Sequence, residues 1–314
     1  MKQYDCSVVV VQYNPIWDKV ERTLNSIISQ KDCNFEIVIA DDGSKNKYFE
    51  ETIEYFQRNS FCDYKIVDNV QNQGTVKNVL SGLRAGSGKY ARVIAPGDML
   101  YSEDTLKKIV DFMEQNQAKE MFGKMVFFYL DKEKIHLVPQ QSPCDFTPYK
   151  TQNKQHIKKK LLGLGDNISG ASYSWDRQYY IKCLEKIESK VIYLEDCVNA
   201  YTLYEGNKIC FMDEFVTWYE YGTGITTNKS SKWTQITEKD WCSFFDELYM
   251  EYPRDKTVKQ AKLYYRISSQ GTFLSKVIKN LLFFDRFLYG RIVSRFLMDR
   301  DYSAVDKEKL LKNL

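Results

Sequence analysis

The sequence predicts an α/β fold, a mostly parallel sheet with helices on both faces and a helical appendage at the carboxyl end. Three observations carry this. Short β-branched apolar runs alternate with segments of helical period over residues 1–115. These runs end at turn-forming clusters, as buried strands feeding helices do. From about residue 234 the periodicity is helical throughout.

The elements run in this order. Cys6-Ser-Val-Val-Val-Val-Gln12 is apolar at nearly every position, which fits a strand covered on both faces, and Tyr13-Asn14-Pro15 stops it. Val20, Leu24, Ile27 and Ile28 recur at helical spacing within 18–30. Phe35–Ala40 is a second strand, closed by Asp41-Asp42-Gly43-Ser44. A helix over 48–59, a short strand over 64–67 and a helix over 75–85 come next, the last opened by Asn72-Gln73-Gly74. Tyr90–Ala95 is a strand ending in Pro96-Gly97-Asp98, and Ser102 is placed to cap a following helix with Glu103 and Asp104 in its first turn. Residues 120–129 read as a strand, 139–160 and 163–174 as polar connections, and 191–193 and 208–218 as strands.

In a sheet of this kind ligands sit beyond the carboxyl ends of the strands. Sequence order therefore lines up Tyr13, Asp41-Asp42 and Pro96-Gly97-Asp98 along one edge. Each cluster has two readings. Asp41-Asp42-Gly43-Ser44 suits a strand–helix turn, or a carboxylate that grips a ribose hydroxyl or a base N–H. Ala95-Pro96-Gly97-Asp98 suits a plain turn, or an Asp holding a hard cation on a diphosphate. Glu195-Asp196 suits the dipole of a helix start, or a general base raised in pKa by its neighbour. No nucleotide-binding GxGxxG or GxxxxGK[ST] follows the first strand, so dehydrogenase and P-loop chemistries lose support.

Taken together, the strand ending in Tyr13-Asn14, Arg22–Ser26 with Gln30, Glu36–Ser44, Asn72-Gln73-Gly74 with Asn78, Gly88-Lys89-Tyr90 with Pro96-Gly97-Asp98, and Glu195-Asp196 resemble glycosyltransferase family 2. The resemblance is strong over 5–115 and thinner to 230. It implies the GT-A fold, a Rossmann-like nucleotide-binding half over 1–115 with an acceptor half over 116–230, and inversion at the sugar's anomeric carbon. It implies that Asp41 and Asp42 contact the nucleotide with Tyr13 at the base or ribose, and that Lys77 and Gly97 lie beside the donor. Asp98 stands where the family's DXD motif holds Mn²⁺ or Mg²⁺, and Asp196 where it has its general base, with Glu195 adjacent. The first carboxylate of DXD is replaced by Pro96, a departure that weakens the metal set. The loop 163–175 takes the acceptor-facing place, with Tyr173 and Trp175 as candidates to stack on a sugar and core packing as the alternative for Trp175. The segment 218–227, Gly-rich at its end, reads as a lid over the diphosphate or as an ordinary loop.

Composition sets the outer limits. With 43% apolar, 15% aromatic and 28% charged residues the chain is neither disordered nor fibrous. The net charge of +3 gives no reason to expect nucleic acid as a partner. Eight Cys without a CxxC pair, and only two His, argue against zinc. Met1–Asp5 shows no signal-peptide pattern and no run reaches the ~18–20 apolar residues of a spanning helix, so a cytoplasmic protein is expected. The charge is uneven: residues 251–314 carry 14 Lys+Arg against 7 Asp+Glu, and the rest is net −4. Within 231–314, the stretch 271–298 places ten apolar side chains at helical spacing with Lys276, Lys279, Arg286, Arg291 and Arg295 between them. That pattern suits a helix packed on the body, an interfacial helix on the anionic inner face of the cell membrane, or a self-association surface.

The function expected from all this is an inverting transferase that moves a sugar, a hexose or an N-acetylhexosamine, from a nucleotide-diphosphate donor, UDP by family frequency. The acceptor would be a hydroxyl of a glycan or lipid-linked glycan in surface polysaccharide synthesis. A nucleotide-sugar binder without turnover is the alternative, motivated by the incomplete DXD. A nucleotidylyltransferase is disfavoured, because its Gly-rich basic loop after the first strand is absent.

Overall fold

A computed structural model describes residues 3–131, 134–222, 231–298 and 302–314. Its first half is four parallel strands, β1 (Cys6–Gln12), β2 (Phe35–Asp41), β3 (Tyr64–Asp68) and β4 (Tyr90–Ile94), in the order β3-β2-β1-β4. Helices α1 (Trp17–Ile28), α2 (Phe49–Arg58) and α3 (Thr75–Ala85) make the crossovers. Alternation along β1 splits the core in two. Val8 and Val10 join Leu24 and Ile27 of α1 and Phe56 of α2 on one face, while Val9 joins Val76, Val79 and Leu83 of α3 on the other. Each of these side chains is fully buried, and such burial contributes about 1.5–3 kcal/mol apiece.

Register positions the site. Gln12 lies opposite Asp41, Asp41 opposite Asp68, and Val10 opposite Ile94, so the strands finish in a row. Tyr13, Asp42 and the Pro96-Gly97-Asp98 turn, each just past the end of its strand, therefore emerge at one edge.

Beyond β4 the sheet becomes mixed. The two-residue β5 (Met99–Leu100) and α4 (Thr105–Asn116) precede the long β6 (Glu120–Asp131) and its partner β7 (Lys134–Leu137). Strand β8 (Tyr173–Asp176) inserts antiparallel between β4 and β6, followed by α5 (Arg177–Glu185). Strand β9 (Ile209–Glu220) runs parallel to β6 and closes antiparallel on β5, pairing Met99 with Trp218. Helices α6 (Ser231–Glu251) and α7 (Lys256–Ser268) pack Phe244, Phe245, Leu248 and Tyr265 into the same core as α3. An outer helical arm begins with α8 (Phe273–Leu282) and continues to Leu297.

Three local expectations change. Helix α4 begins at Thr105 with Asp104 at its cap, not Ser102; Ser102 instead donates its hydroxyl to Asp104 and its N–H to Thr105 Oγ1, at 2.9 Å. Residues 191–193 form no strand, because their hydrogen bonds are taken elsewhere. Ile192 O accepts from Val76 N–H at 2.9 Å, and the N–H groups of Ile192 and Tyr193 donate to Asp240 Oδ2 at 3.2 and 2.6 Å. Tyr173 and Trp175, read as part of a polar loop, are in the central strand β8. Four residues are too few to show a period against the Gly-rich stretch before them, so pairing on both sides decided it.

Candidate active site

One cavity of about 640 Å³ opens at the carboxyl edge of the parallel strands. Asp42, Asp98, Glu195 and Asp196 line it together, with Tyr13 at its rim. Tyr13 is just past β1 and 54% exposed, an open ring face where a planar group can lie.

Asp42 is held by the start of α3. Its oxygens accept from the N–H groups of Gln73 and Gly74 at 2.9 and 2.8 Å. Burial raises its pKa, those two N–H donors oppose the rise, and the neighbouring Asp41 adds to it. Gly74, at φ +89°, is required here: a Cβ would stand 2.2 Å from Ile192 Cγ2 and 2.7 Å from its carbonyl. That close approach, with the Val76–Ile192 bond, holds segment 191–194 against α3 and delivers Glu195-Asp196 to the cavity.

Asp41 does not line the cavity. It is fully buried, accepting from Ser44 N–H at 2.7 Å and Gln12 Nε2 at 3.1 Å, which closes the turn after β2. Gln12 itself reaches the cavity, and its Oε1 has no hydrogen-bond partner among the described residues. Lys77 is exposed on α3 and away from the lining. Gly97 also lies behind the wall, at φ +103°, donating its N–H to Thr23 Oγ1 at 2.9 Å.

Asp98 sits where β5 meets β9. Its Oδ1 accepts from Glu220 N–H at 3.0 Å. Burial pushes its pKa up to about 7, with the Glu220 charge adding and Arg92 and Lys19 opposing. The β5–β9 register brings the Glu220 carboxylate against the Pro96-Gly97-Asp98 turn, where a Cβ on Gly97 would meet Glu220 Oε2 at 2.3 Å. Lys19 lines the cavity beside Asp98 and pairs with Glu220 at 2.9 Å. Sequence reasoning missed both. A lysine one turn into a helix reads as a solvated face, and Glu220 becomes a neighbour of residue 97 only through strand pairing.

A divalent cation would find oxygen donors here, Asp98 and the adjacent Glu220. Among the described residues no group of three or more His, Cys, Asp or Glu converges. The set therefore fits a hard cation that completes its shell with phosphate oxygens and water, as Mg²⁺ and Mn²⁺ do.

Glu195 and Asp196 open a 3₁₀ turn, Glu195–Val198. Both carboxyls are held above the ordinary carboxylate range by burial; Glu195 is raised further by the Asp196 charge, and the Gly170 N–H offsets part of the rise at Asp196. Gly170 allows this packing, since a Cβ there would lie 2.6 Å from Glu195 Oε1. The two carboxyls titrate as a pair, with proton loss shifted above the ordinary carboxylate range.

Tyr173 and Trp175 form part of the cavity wall but are 3% and 2% exposed. Trp175 stacks on Tyr180 at 4.6 Å and 8°, and Tyr173 accepts from Asn199 Nδ2 at 2.5 Å. Their rings are committed to the core, the packing alternative. The aromatic pair placed to meet a substrate is Tyr193 and Trp233, edge to face at 5.2 Å on the lining. Of the expected lid over 218–227, Trp218–Glu220 belong to β9, and 223–227 lie outside the described residues.

Comparison with known proteins returns a family match, several relatives and solved structures of similar fold. The sequence profile of glycosyl transferase family 2 matches residues 7–179. An uncharacterized glycosyltransferase of Haemophilus influenzae is 32% identical over 130 residues, which is 40% of this chain and 38% of that protein. The chain thus spans well under half the length of that relative. Among solved structures, the 1–349 fragment of S. aureus TarS in complex with UDP-GlcNAc matches with a TM-score of 0.59 at 19% identity, covering 84% of this chain and 73% of that one. A second crystal structure of the same TarS fragment matches with a TM-score of 0.58 at 17% identity, covering 98% and 88%.

Proposed function

Because the chain belongs to glycosyl transferase family 2, we propose that it is an inverting transferase that moves a sugar from a UDP-type nucleotide donor to a hydroxyl of a glycan or lipid-linked glycan. The observation that carries this reading is the meeting of Asp98 and Lys19 with Glu195 and Asp196 in one cavity. A diphosphate needs cationic partners and an attacking hydroxyl needs a base, and the one cavity supplies both. The UDP-GlcNAc bound by the structurally similar TarS fragment supports a uridine donor and an N-acetylhexosamine.

In this reading Tyr13 stacks on the base and Asp42 accepts from the nucleoside. Lys19 turns from Glu220 toward the diphosphate. Asp98, with Glu220 behind it, would hold Mn²⁺ or Mg²⁺, which when bound neutralises charge on the departing diphosphate. Asp196 takes the proton of the acceptor hydroxyl as its oxygen bonds to the anomeric carbon. The bond from that carbon to the phosphate oxygen breaks with its electron pair leaving on the nucleoside diphosphate, in one displacement that inverts the centre. Surface-glycan synthesis is the role in view.

The test is a thermal-shift panel of UDP-, GDP- and dTDP-sugars with and without Mn²⁺, followed by an assay for nucleotide release. A donor at about 100 times its Kd stabilises by about 2.7 kcal/mol, a readily measured shift. No shift with any donor overturns the reading; a shift without release under any condition identifies a binder. A narrower prediction concerns Lys19. Lys19→Gln is expected to weaken UDP about tenfold or more while leaving uridine binding unchanged, because a charge-assisted hydrogen bond contributes about 1.5–3 kcal/mol. Calorimetric titration of both ligands checks it.

A further inference from the structure

The arm from Phe273 to Leu297 is folded with its polarity reversed. Most of the side chains it turns inward are polar: Ser275, Lys279, Arg286 and Ser294 are buried or half-buried, with Tyr289, while Phe283 packs edge-on against Tyr264. Arg286 lies over the Tyr264 ring at 3.8 Å and donates to Tyr265 Oη at 2.6 Å. Tyr289 donates to Asp166 Oδ2 at 2.7 Å, and Lys279 to Ser268 Oγ at 2.6 Å. The side chains it turns outward are large and apolar, among them Phe273 at 83%, Leu281 at 74% and Phe296 at 84% exposed, with Leu274 and Leu282. Ordinary amphipathic helices do the opposite. So many large apolar side chains exposed on one arm mark an interaction face.

We propose that this face docks on an anionic lipid surface, with the arm lying in the headgroup layer. Charge chooses the occupant. Among the described residues of the arm, Lys276 and Arg291 are exposed cations facing solvent among the apolar side chains, and Asp285 is the exposed acid. Cations among apolar side chains suit acyl chains beneath acidic headgroups. A second copy of the same face would set these cations against each other. Among the described residues no helix is long and apolar enough to cross a membrane, so the attachment is peripheral. The arm is joined to the candidate site, because Arg286 and Tyr289 hold segment 162–166, which leads into the cavity wall at Ser169–Ala171. Docking thus brings the acceptor side of the cavity to a surface that carries lipid-linked substrates. The docking inference stands on the arm alone and does not require the transferase reading.

The experiment is flotation of the full chain with vesicles of phosphatidylcholine alone or mixed with phosphatidylglycerol. The expected result is co-flotation with the mixed vesicles, diminished by salt. In Lys276→Gln/Arg291→Gln, affinity should fall about fivefold per basic residue, roughly 25-fold in all. Leu274→Gln/Leu281→Gln/Phe296→Gln should abolish flotation. An unchanged melting temperature in both variants shows that each is folded. Wild type left unbound, or both variants floating like wild type, overturns the proposal. So does sedimentation showing a wild-type dimer that the apolar variant dissolves while no form binds vesicles.

Discussion

Asp196→Asn is expected to lower turnover by about 10²–10⁴-fold, the range a general base contributes, while the Kd for the donor stays within a few-fold. The substitution keeps the shape of the 3₁₀ turn and removes only the basic oxygen. Glu195→Gln is the control. Its amide keeps the shape of the Glu195 side chain and leaves the Asp196 carboxylate in place, so the variant should retain most activity. The pH profile gives the same assignment by another route. Burial and mutual repulsion hold the pair above the ordinary carboxylate range, so kcat should fall with decreasing pH at a midpoint above that range, and Glu195→Gln should leave this limb in place. For stability the sign is opposite. The folded pair binds protons more tightly than the unfolded chain, so its contribution is present at low pH and is lost as pH rises through the raised pKa values. Steady-state rates and inhibitor-free donor titrations across pH test this. Full turnover in Asp196→Asn, or loss only in Glu195→Gln, removes Asp196 from the role.

The second large effect is structural. Arg92→Met is expected to cost about 3 kcal/mol, the scale of leaving buried acceptors unsatisfied. Arg92 is completely buried on β4 and donates to the carbonyls of Tyr173 and Ala171 and to Thr217 Oγ1. One guanidinium therefore ties β4, the Gly170–Ser172 turn and β9 beneath the cavity floor. Burial lowers its pKa to about 10, with Asp98 among the groups opposing the fall, and it stays charged near neutrality. Methionine fills the volume and leaves the Tyr173 carbonyl without its side-chain donor, while Ala171 O keeps only the Thr217 hydroxyl, at 2.9 Å. At roughly 1.5 °C per kcal/mol for a chain of 314 residues, the melting temperature should drop by about 4–5 °C. Differential scanning calorimetry reads the shift directly. A change within about 1 °C would mean that the carbonyls find other partners and that Arg92 is not the tie described.

The parallel half of the molecule was readable because its signals are local. Val8–Val10 and Ile37–Ala40 are apolar on both faces, and Asp41-Asp42-Gly43 and Pro96-Gly97 are turn chemistry. Strand order alone then puts Tyr13, Asp42 and Asp98 on one edge. Two neighbouring aspartates parted in a way no local signal records. Asp41 closes its own turn with Ser44 and Gln12, and Asp42 faces the cavity. Their difference is the alternation of side chains at a strand's end, and it depends on where the last ladder bond falls.

By itself the sequence determined the strand–helix alternation, the acidic clusters at the strand ends and the excess of cations in the last quarter of the chain. Composition and period specify such properties, since each belongs to a segment of ten or so residues. Tertiary structure alone decided that Glu220 and Lys19 join Asp98, that Trp175 stays in the core and Trp233 reaches the cavity, and that the basic arm turns its apolar face to solvent. Each of those outcomes joins residues far apart in the chain, through a strand register or a helix docked by Arg286 and Tyr289. Pairing of that kind is set by the packing of the whole fold, not by the residues on either side.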